Sequence, residues 1–325
     1  MNSMNNMNNM NSTNNMNSTN NMNSTNNLNS MNNLNIYKKI INDQDFEKYK
    51  GKHFDESWYS TIIDKNANGY YLDELNNKKV LFKFRKNIIS DKLQKLAIDS
   101  FLQESKKKHA NRGVAGGIDE GEKNARTITK TGQSEAKYIS SNISGYYDRP
   151  LRNHLHIFKK KNVCRTTSFT LNNKEKWKSA QPFVIKCSKE YSKLGGKYYL
   201  QQQKQYSLIN NNIKIPNTVF TTITSNYNWR TACHKDSGDY ELGLGNLIVV
   251  GNDYKGGFLG FPQFKILIKI NPGDFLLMDV HQWHCNTPIN TTTNNGFRLS
   301  FVMYLRKDTI NCKKEKIIDK IKYYY

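Results

Sequence analysis

The chain has 325 residues, 37% of them hydrophobic and 12% aromatic, and it carries 49 Lys and Arg against 27 Asp and Glu, a formal net charge of +22. No run of about 18 apolar residues occurs, which argues against a membrane-spanning helix. The charge favours polyanionic partners, but the codon bias of an A+T-rich genome, which enriches Asn, Lys, Ile and Tyr, explains it equally well.

Residues 1–36 are of low complexity. From Met4 to Leu34 a Met or Leu recurs at multiples of three positions among Asn, Ser and Thr, a period that matches neither helix nor strand. Such a segment has too little apolar surface to offset its ordering entropy, so we predict a disordered tail. The start has neither the pattern of a secretory signal nor that of a transit peptide, and we expect an intracellular protein.

Residues 37–135 are predicted to form an α/β support region. Tyr70–Leu72 and Val80–Phe84 fit two strands joined by a turn at Asn76-Asn77. A helix is expected from Ser90 or Asp91 to a Lys-rich end at residues 106–108. The glycine-rich stretch 111–117 lacks the Lys-Ser/Thr of a phosphate-binding loop and is predicted to be an ordinary loop.

From Thr218 onward the pattern changes to short β-rich runs separated by turn residues. No helical pattern separates these runs, which excludes a parallel doubly wound sheet and favours an antiparallel jelly roll. Residues 311–325 form a basic tail, in which Lys313–Lys322 is expected to be a short surface helix. The predicted strands are Val219–Thr224, Thr231–His234, Leu247–Val250, Phe264–Ile270, Phe275–Val280 and Arg298–Leu305.

The five cysteines are an odd set without a C-x-x-C pair. This argues against a disulfide framework and against a zinc knuckle. We expect most of them to be packing thiols. They are Cys164, Cys187, Cys233, Cys285 and Cys312.

The candidate chemistry lies in the β-rich half. His234 and Asp236 form an H-x-D at the end of a predicted strand, and His281 and His284 follow after three more predicted strands. Two imidazoles and one carboxylate on one face of an octahedral ion are typical of non-haem Fe(II) oxygenases. On the next strand, the fork of Arg298 could bind the distal carboxylate of a keto acid, with Ser300 on the same face adding a hydrogen bond.

Six stretches of the chain resemble the TET/JBP group of 2-oxoglutarate- and Fe(II)-dependent dioxygenases, particularly its fungal, phage and large-virus members. Together they span about half of the chain, residues 141–306. The matching stretches are Ser141–Asp148, Asn217–Thr224, Arg230–Asp239, Gly256–Phe258, Phe261–Gln263 and Gly273–Pro288.

The resemblance implies a double-stranded β-helix oxygenase core over residues 136–310, buttressed by N-terminal helices. It implies Fe(II), 2-oxoglutarate and O2 as cofactors, with the iron on His234, Asp236 and a distal histidine. His284 is the better choice, because the distal ligand of the superfamily is followed shortly by a Pro, as in residues 284–288. His281 is expected to pack or to hydrogen-bond nearby.

The resemblance also implies substrate contacts. Tyr304, six residues after Arg298, has the spacing of a TET tyrosine that packs on the target base, and Thr224 matches a pocket threonine of that branch or is an ordinary strand residue. Arg306 stands where that branch has a His. Asp239 replaces an Asn, as in JBP-like sequences, which favours thymine or a less usual base slightly over 5-methylcytosine.

The implied reaction is hydroxylation of the 5-methyl group of a pyrimidine in DNA, the base being flipped out of the duplex. The rival hypotheses are an oxygenase acting on a protein side chain or small molecule, and a binding protein without turnover. Basic residues around the pocket are candidates for phosphate contacts, although a solvated surface charge is the default interpretation of each one. They are Arg112, Arg149, Arg152, Lys159, Lys160 and Lys161.

Overall fold

Strands dominate the fold, which is known from a computed structural model that describes residues 35–109, 113–117, 139–149, 163–312, 315–318 and 321–324. The predicted tail lies outside these ranges except for its last two residues. The described residues from Ile36 onward belong to one compact unit.

The described helices are α1 (Asp43–Phe46), α2 (Asp91–Ser105), α3 (Ser168–Asn172), α4 (Lys174–Gly195) and α5 (Lys197–Ser207). The strands before residue 240 are β1 (Thr61–Ile63), β2 (Ala67–Leu72), β3 (Lys78–Arg85), β4 (Lys108–His109), β5 (Ile139–Tyr147), β6 (Cys164–Thr166) and β7 (Thr222–Tyr227). The later strands are β8 (Gly245–Asn252), β9 (Tyr254–Gly256), β10 (Leu259–Phe261), β11 (Ile266–Ile268), β12 (Phe275–Met278), β13 (Cys285–Asn286), β14 (Ile289–Thr291), β15 (Phe297–Tyr304), β16 (Glu315–Ile318) and β17 (Ile321–Tyr324).

Two sheets make up the body of the fold. The larger has the strand order β16-β17-β6-β5-β7-β15-β8-β12-β3-β2, with β4 added to β5, and the smaller has the order β1-β11-β10-β13. Within the described ranges every strand pair is antiparallel except β1 with β11. This agrees with the predicted jelly roll.

Alternation along the central strands divides the core into two layers. In β8, Leu247 and Val249 point toward the small sheet, where they join Phe261. The next residues in the strand point the other way, and Ile248 packs in a cluster with Phe183 of α4. Successive strand residues face opposite sides, so one sheet is covered by helices on one face and by the second sheet on the other. The predicted mostly β fold with α support is confirmed.

The predicted elements before residue 110 are confirmed. Tyr70 pairs with Val80 in the β2–β3 hairpin, and Asn76 has a φ of 59°, a left-handed conformation that Asn tolerates in a turn. Helix α2 begins at Asp91 after Ser90, as expected.

The prediction for the C-terminal segment was wrong. Instead of a surface helix, β16 and β17 form a hairpin, and Tyr324 of β17 pairs with Cys164 of β6. The β-branched residues Ile317, Ile318 and Ile321 favour strands over helices, and an available edge of the large sheet receives them.

Two further differences lie inside the predicted core. Residues 231–234 make only a single bridge, at His234, instead of a strand. The long helices α4 and α5 were not predicted, although Phe183, Val184, Cys187 and Tyr191 of α4 are buried at helical spacing. Pro182 inside α4 weakens the sequence signal for a helix.

The expectation that the cysteines are mainly packing thiols is correct for three of them. Cys187, Cys233 and Cys285 are free and buried. Cys164 and Cys312, however, are joined by a disulfide with a Cα–Cα distance of 5.8 Å. A separation of 148 residues cannot be recognised from spacing, because the pairing depends on the fold that brings β6 beside the C-terminal segment.

Candidate active site

A cavity of about 470 Å³ is lined by residues of both sheets. The large sheet contributes side chains from β7, β8, β12 and β15, and the small sheet contributes Leu259 of β10 and Asn286 of β13. This volume is in the usual range for small-molecule sites. The loop that follows β7 and leads to β8 forms another part of the wall.

His234, Asp236 and His284 converge on this cavity, and their ligand atoms all lie within 4.8 Å of one another. His234 Nε2 is 3.5 Å from Asp236 Oδ1, and His284 Nε2 is 3.9 Å from Asp236 Oδ2. Nitrogen and oxygen donors at this separation can hold a divalent metal ion between them. The structure therefore brings together the three residues that the sequence singled out.

Backbone pairing joins the two histidines across the fold. His234 N donates to His284 O at 3.1 Å, and His284 N donates to His234 O at 3.0 Å. Two residues on, Asp236 N donates to Val280 O at 2.9 Å. The three side chains are thus fixed by one short antiparallel contact rather than by a loop.

Both histidines are held in the tautomer that metal binding needs. His234 Nδ1 lies 2.7 Å from Ala232 O, and His284 Nδ1 lies 2.9 Å from Gln282 O. A carbonyl oxygen can only accept, so each Nδ1 carries the proton and each Nε2 presents its lone pair to the cavity.

The electrostatics of the three groups favour an ionised Asp236 and a neutral His284. Burial alone would lower the pKa of His234, but the hydrogen bond and charge of Asp236 outweigh it and raise that pKa. Burial and the nearby charge of His234 lower the pKa of His284 to about 4. Burial alone would raise the pKa of Asp236, but the hydrogen bond and charge of His234 outweigh it and lower that pKa to about 2. Neutral imidazole and ionised carboxylate are the forms that bind metal.

An N-terminal segment supports the candidate metal-binding group, His234, Asp236 and His284, from behind. Cys233 and Cys285, the neighbours of the two histidines, are buried, and the Tyr59 hydroxyl lies 3.3 Å from Cys285 Sγ. Gly51 N donates to Cys233 O, and Cys233 N donates to Lys52 O, each at 2.8 Å. Residues 51–59 therefore belong to the scaffold of the site, a role that the sequence did not reveal.

His281 is not part of the convergent group. Its Nδ1 lies 3.0 Å from the backbone oxygen of Asp236, to which it can only donate. The contact steadies the Asp236 backbone, in line with the expectation that His281 hydrogen-bonds nearby.

Arg298 lies beyond the metal-binding group and is 1% exposed. Its Nε and Nη2 have no hydrogen-bond partner among the described residues. The Tyr254 hydroxyl faces the guanidinium without a well-aligned hydrogen bond, and burial lowers the pKa of Arg298. A buried cation with unused donors is costly unless a ligand supplies an acceptor, so this position suits an anionic group of a co-substrate.

One face of β15 runs along the cavity wall and continues past it to Arg298. Ser300, Val302 and Tyr304 all line it, as does Arg306 just after the strand. Arg298 is on the same face at the far end but does not reach the cavity lining. At roughly 3.3 Å per residue, Arg298 and Tyr304 are about 20 Å apart along the strand.

The predicted substrate residues gather at the Tyr304 end. The hydroxyl groups of Tyr304 and Thr224 are 3.2 Å apart, and Asp239 is buried with Oδ2 unpartnered among the described residues. Burial and the charge of Asp236 raise the pKa of Asp239 well above its usual range.

The cavity lining also includes residues that were not predicted as contacts, and Asn226 and Arg306 are two of them. Asn226 faces the cavity beside Ser300, and its Oδ1 has no partner among the described residues. Arg306 forms a bidentate ion pair with Asp148, at 2.8 and 3.1 Å. The resemblance marks Arg306 only as the residue that replaces a His of the TET branch. Its ion pair with Asp148 could not be anticipated, because the two residues are far apart in sequence.

Of the six basic residues proposed as phosphate contacts, only Arg149 lies within the described ranges. It is exposed and lines the cavity. Lys235 and Lys307 line the same opening and were not among those candidates.

In the described part of the chain, no helix has the length and apolar character to cross a bilayer.

Non-haem Fe(II) oxygenases bind their metal through two histidines and one carboxylate and keep the other positions open for co-substrates. The fold and the cavity follow this scheme and define the class as a 2-oxoglutarate- and Fe(II)-dependent oxygenase. More closely, residues 142–307 match the Tet_JBP family, described as the oxygenase domain of the 2OGFeDO superfamily. The match covers about half of the chain, which therefore belongs to this family, whose cofactors are Fe(II), 2-oxoglutarate and O2.

Relatives within this family include two curated dioxygenases. The chain is 29% identical over 211 residues to thymine dioxygenase JBP1 of Crithidia fasciculata, which is 64% of this chain and 25% of the relative. It is 32% identical over 200 residues to the bifunctional helicase and thymine dioxygenase JBP2 of Leishmania braziliensis, covering 60% and 17%. The matched part is thus a quarter or less of these relatives. The fungal, phage or large-virus branch stays a prediction.

Among solved structures, NgTET1 in complex with 5mC DNA is similar, with a TM-score of 0.49 and 13% identity. The similarity covers 83% of this chain and 92% of that one.

Proposed function

We propose that the protein is a dioxygenase that hydroxylates the 5-methyl group of a pyrimidine base, thymine or 5-methylcytosine, in DNA. The observation that carries the proposal is a single cavity with a metal-binding group at one side and the polar set of Thr224, Tyr304 and Asp239 at another. The thymine dioxygenase activity of the relatives supports it. The proposed catalytic unit is residues 136–310, with residues 37–135 as support.

In this proposal His234 and His284 hold Fe(II) through Nε2, and Asp236 holds it through its carboxylate. Their fit to the ion rests on the two Nδ1 contacts with backbone carbonyls. Arg298 and Ser300 bind the distal carboxylate of 2-oxoglutarate. This assignment is supported by Nε and Nη2 of Arg298, which have no hydrogen-bond partner among the described residues.

When bound, Fe(II), 2-oxoglutarate and O2 supply the oxidation that converts a methyl group to hydroxymethyl, with succinate and CO2 as the other products. The protein contributes orientation. Tyr304 and Thr224 hold a base at the far side of the cavity, and the apolar side chains of Leu247 and Leu259 limit the water around it.

A base inside a duplex cannot reach such a cavity, so the target nucleotide must be flipped out. Cations at the opening can hold the flanking phosphates. Arg149 and Lys235 are exposed there, and Lys307 is half-buried. Trp229 also lines the opening and offers an aromatic surface for a neighbouring base.

The test is mass spectrometry of nucleosides after incubation of DNA with the iron-loaded protein and 2-oxoglutarate. We expect hydroxymethyl pyrimidine and an equal amount of succinate. DNA binding should weaken steeply with salt, with a logarithmic slope of about −0.9 per phosphate contact, and Lys235→Glu should reduce that slope.

The same experiment separates the rival functions. Succinate formation without an oxidised pyrimidine, together with no DNA binding at low salt, would indicate an oxygenase for a protein side chain or small molecule. The absence of both succinate and iron binding would indicate a protein without turnover.

A further inference from the structure

Three consecutive residues in the turn after β12 contact two of the proposed iron ligands. Val280 O accepts a hydrogen bond from Asp236 N at 2.9 Å. His281 Nδ1 donates to Asp236 O at 3.0 Å, and Gln282 O accepts from His284 Nδ1 at 2.9 Å. The conformation of this turn therefore determines where Asp236 lies and how the His284 ring is rotated.

Asp279 fixes the turn from the position just before it, through both carboxylate oxygens. Oδ1 accepts from His281 N at 3.0 Å, and Oδ2 accepts from Gln282 Nε2 at 3.3 Å. The backbone adds a contact, because Gln282 N donates to Asp279 O at 3.2 Å. An Asp side chain that accepts from the backbone two residues further on stabilises a tight turn. One carboxylate thus restrains both residues that contact a ligand through their own ring or carbonyl group.

The carboxylate is held in turn by Tyr71, a residue of the N-terminal support region. Tyr71 OH donates to Asp279 Oδ2 at 2.8 Å, and it accepts from Gln282 Nε2 at 3.1 Å. The Tyr71 ring is buried and packs edge-on against Phe264, with 5.8 Å between the ring centres. Strand β2 therefore places a hydroxyl group where it restrains the carboxylate and the amide together.

The rotation of the His284 ring is the property on which this network acts. A metal ion binds a neutral imidazole along the lone pair of the nitrogen that carries no proton, and the hydrogen bond of the other nitrogen orients the ring. For His284 that hydrogen bond goes to the carbonyl of Gln282. Since the side chain of Gln282 is tied to Asp279 and Tyr71, the direction of its carbonyl depends on both of them.

We infer that Asp279 is a positioning residue for the iron centre, and that Tyr71 holds it in the conformation that orients Asp236 and His284. This inference rests on the proposed function, whose iron ligands it takes as given. Neither Tyr71 nor Asp279 is among the described residues that line the cavity. Both act through the turn, and the outermost strand of the large sheet, β2, thereby takes part in metal binding.

The experiment is a competition for Fe(II) between the iron-loaded full-length protein and a chromogenic chelator under anaerobic conditions. The amount of coloured chelate gives the iron affinity without any turnover. Thermal unfolding of the same proteins after removal of iron gives the stability of the fold. The KM for 2-oxoglutarate at saturating iron is the third measurement.

Two variants remove different parts of the network. Asp279→Asn replaces one carboxylate oxygen by an NH2 group that cannot accept a hydrogen bond. We expect it to weaken iron binding by about ten- to a hundredfold, the range typical of groups that orient metal ligands. Tyr71→Phe keeps the ring and the carboxylate and should weaken iron binding by about three- to tenfold. Its KM for 2-oxoglutarate should stay unchanged, because Arg298 is not part of the network.

Tyr191→Phe is the matched control. Tyr191 is buried, and its hydroxyl also donates one hydrogen bond and accepts one, to Gln202 Oε1 at 3.2 Å and from Leu244 N at 2.9 Å. It lies in α4 and is not among the described residues of the cavity lining. We expect Tyr191→Phe to lower the Tm as Tyr71→Phe does but to keep the wild-type iron affinity.

Equal iron affinity of Tyr71→Phe and Tyr191→Phe would overturn the inference, because Tyr71 would then serve the stability of the fold alone. Wild-type affinity in Asp279→Asn would overturn it as well. A wild type that binds no iron, or a His284→Ala variant that binds it as tightly as the wild type, refutes the proposed ligands themselves. The two failures are therefore distinguishable. Should Asp279→Asn not fold, the comparison of Tyr71→Phe with Tyr191→Phe decides alone.

Discussion

Gly257→Ala is expected to impair co-substrate binding, although Gly257 itself is not one of the proposed binding residues. A Cβ atom at this position would lie 2.6 Å from Arg298 Cδ and 2.7 Å from Arg298 Nε. That is roughly 1 Å closer than a normal carbon–carbon contact. Since Arg298 is 1% exposed, its side chain cannot retreat into solvent and must shift within the core.

The size of the effect follows from the contact that is displaced. One hydrogen bond between a guanidinium and a carboxylate contributes about 1.5–3 kcal/mol, and each 1.4 kcal/mol corresponds to about a factor of ten. We therefore expect the KM for 2-oxoglutarate to rise by at least about tenfold. The backbone adds a separate cost, because Gly257 has a φ of +67°, and such positions cost about 1–3 kcal/mol for other residues.

Gly196→Ala separates the two contributions. Gly196 has a φ of +52°, and within the described ranges no atom lies within 4 Å of an added Cβ. The substitution should therefore lower thermal stability without changing co-substrate dependence. The assay is succinate formation as a function of 2-oxoglutarate at saturating iron, together with thermal unfolding of both variants. An unchanged KM in Gly257→Ala, with only a lowered Tm, would mean that Arg298 does not bind the co-substrate.

Three further outcomes are expected. His284→Ala should abolish iron retention, measured by metal analysis after gel filtration, whereas His281→Ala should retain most of the iron. The reverse order would show that His281, and not His284, is the metal ligand. Arg298→Lys should recover little of the co-substrate affinity lost in Arg298→Ala, because an ammonium cannot form a bidentate pair, and equal affinity of Lys and Arg enzymes would contradict the assignment. Deletion of residues 1–34 should leave iron binding and turnover nearly unchanged, while deletion through Tyr59 should abolish both by removing the backbone contacts to Cys233; retention of iron by the longer deletion would show that this support is dispensable.

Local pattern was enough for much of the fold. The β2–β3 hairpin, helix α2 and the strands that lead into the cavity follow from alternation and turn residues, because strand pairs and caps are formed by neighbours in sequence. The H-x-D at residues 234–236 and the face shared by Arg298 and Ser300 are likewise local, since a strand repeats every two residues.

The tertiary structure decided what depends on residues far apart in the chain. His284 rather than His281 meets Asp236 because the backbone of His284 pairs with that of His234. Local sequence does not predict this contact, because the two residues are far apart in the chain. Helix α4 was hidden by its internal Pro, and the C-terminal hairpin formed because β6 has an edge to receive it. The pairing of Arg306 with Asp148 and its position beside Asp239 have the same origin. Buried charges require partners, but only the folded chain determines which ones they meet.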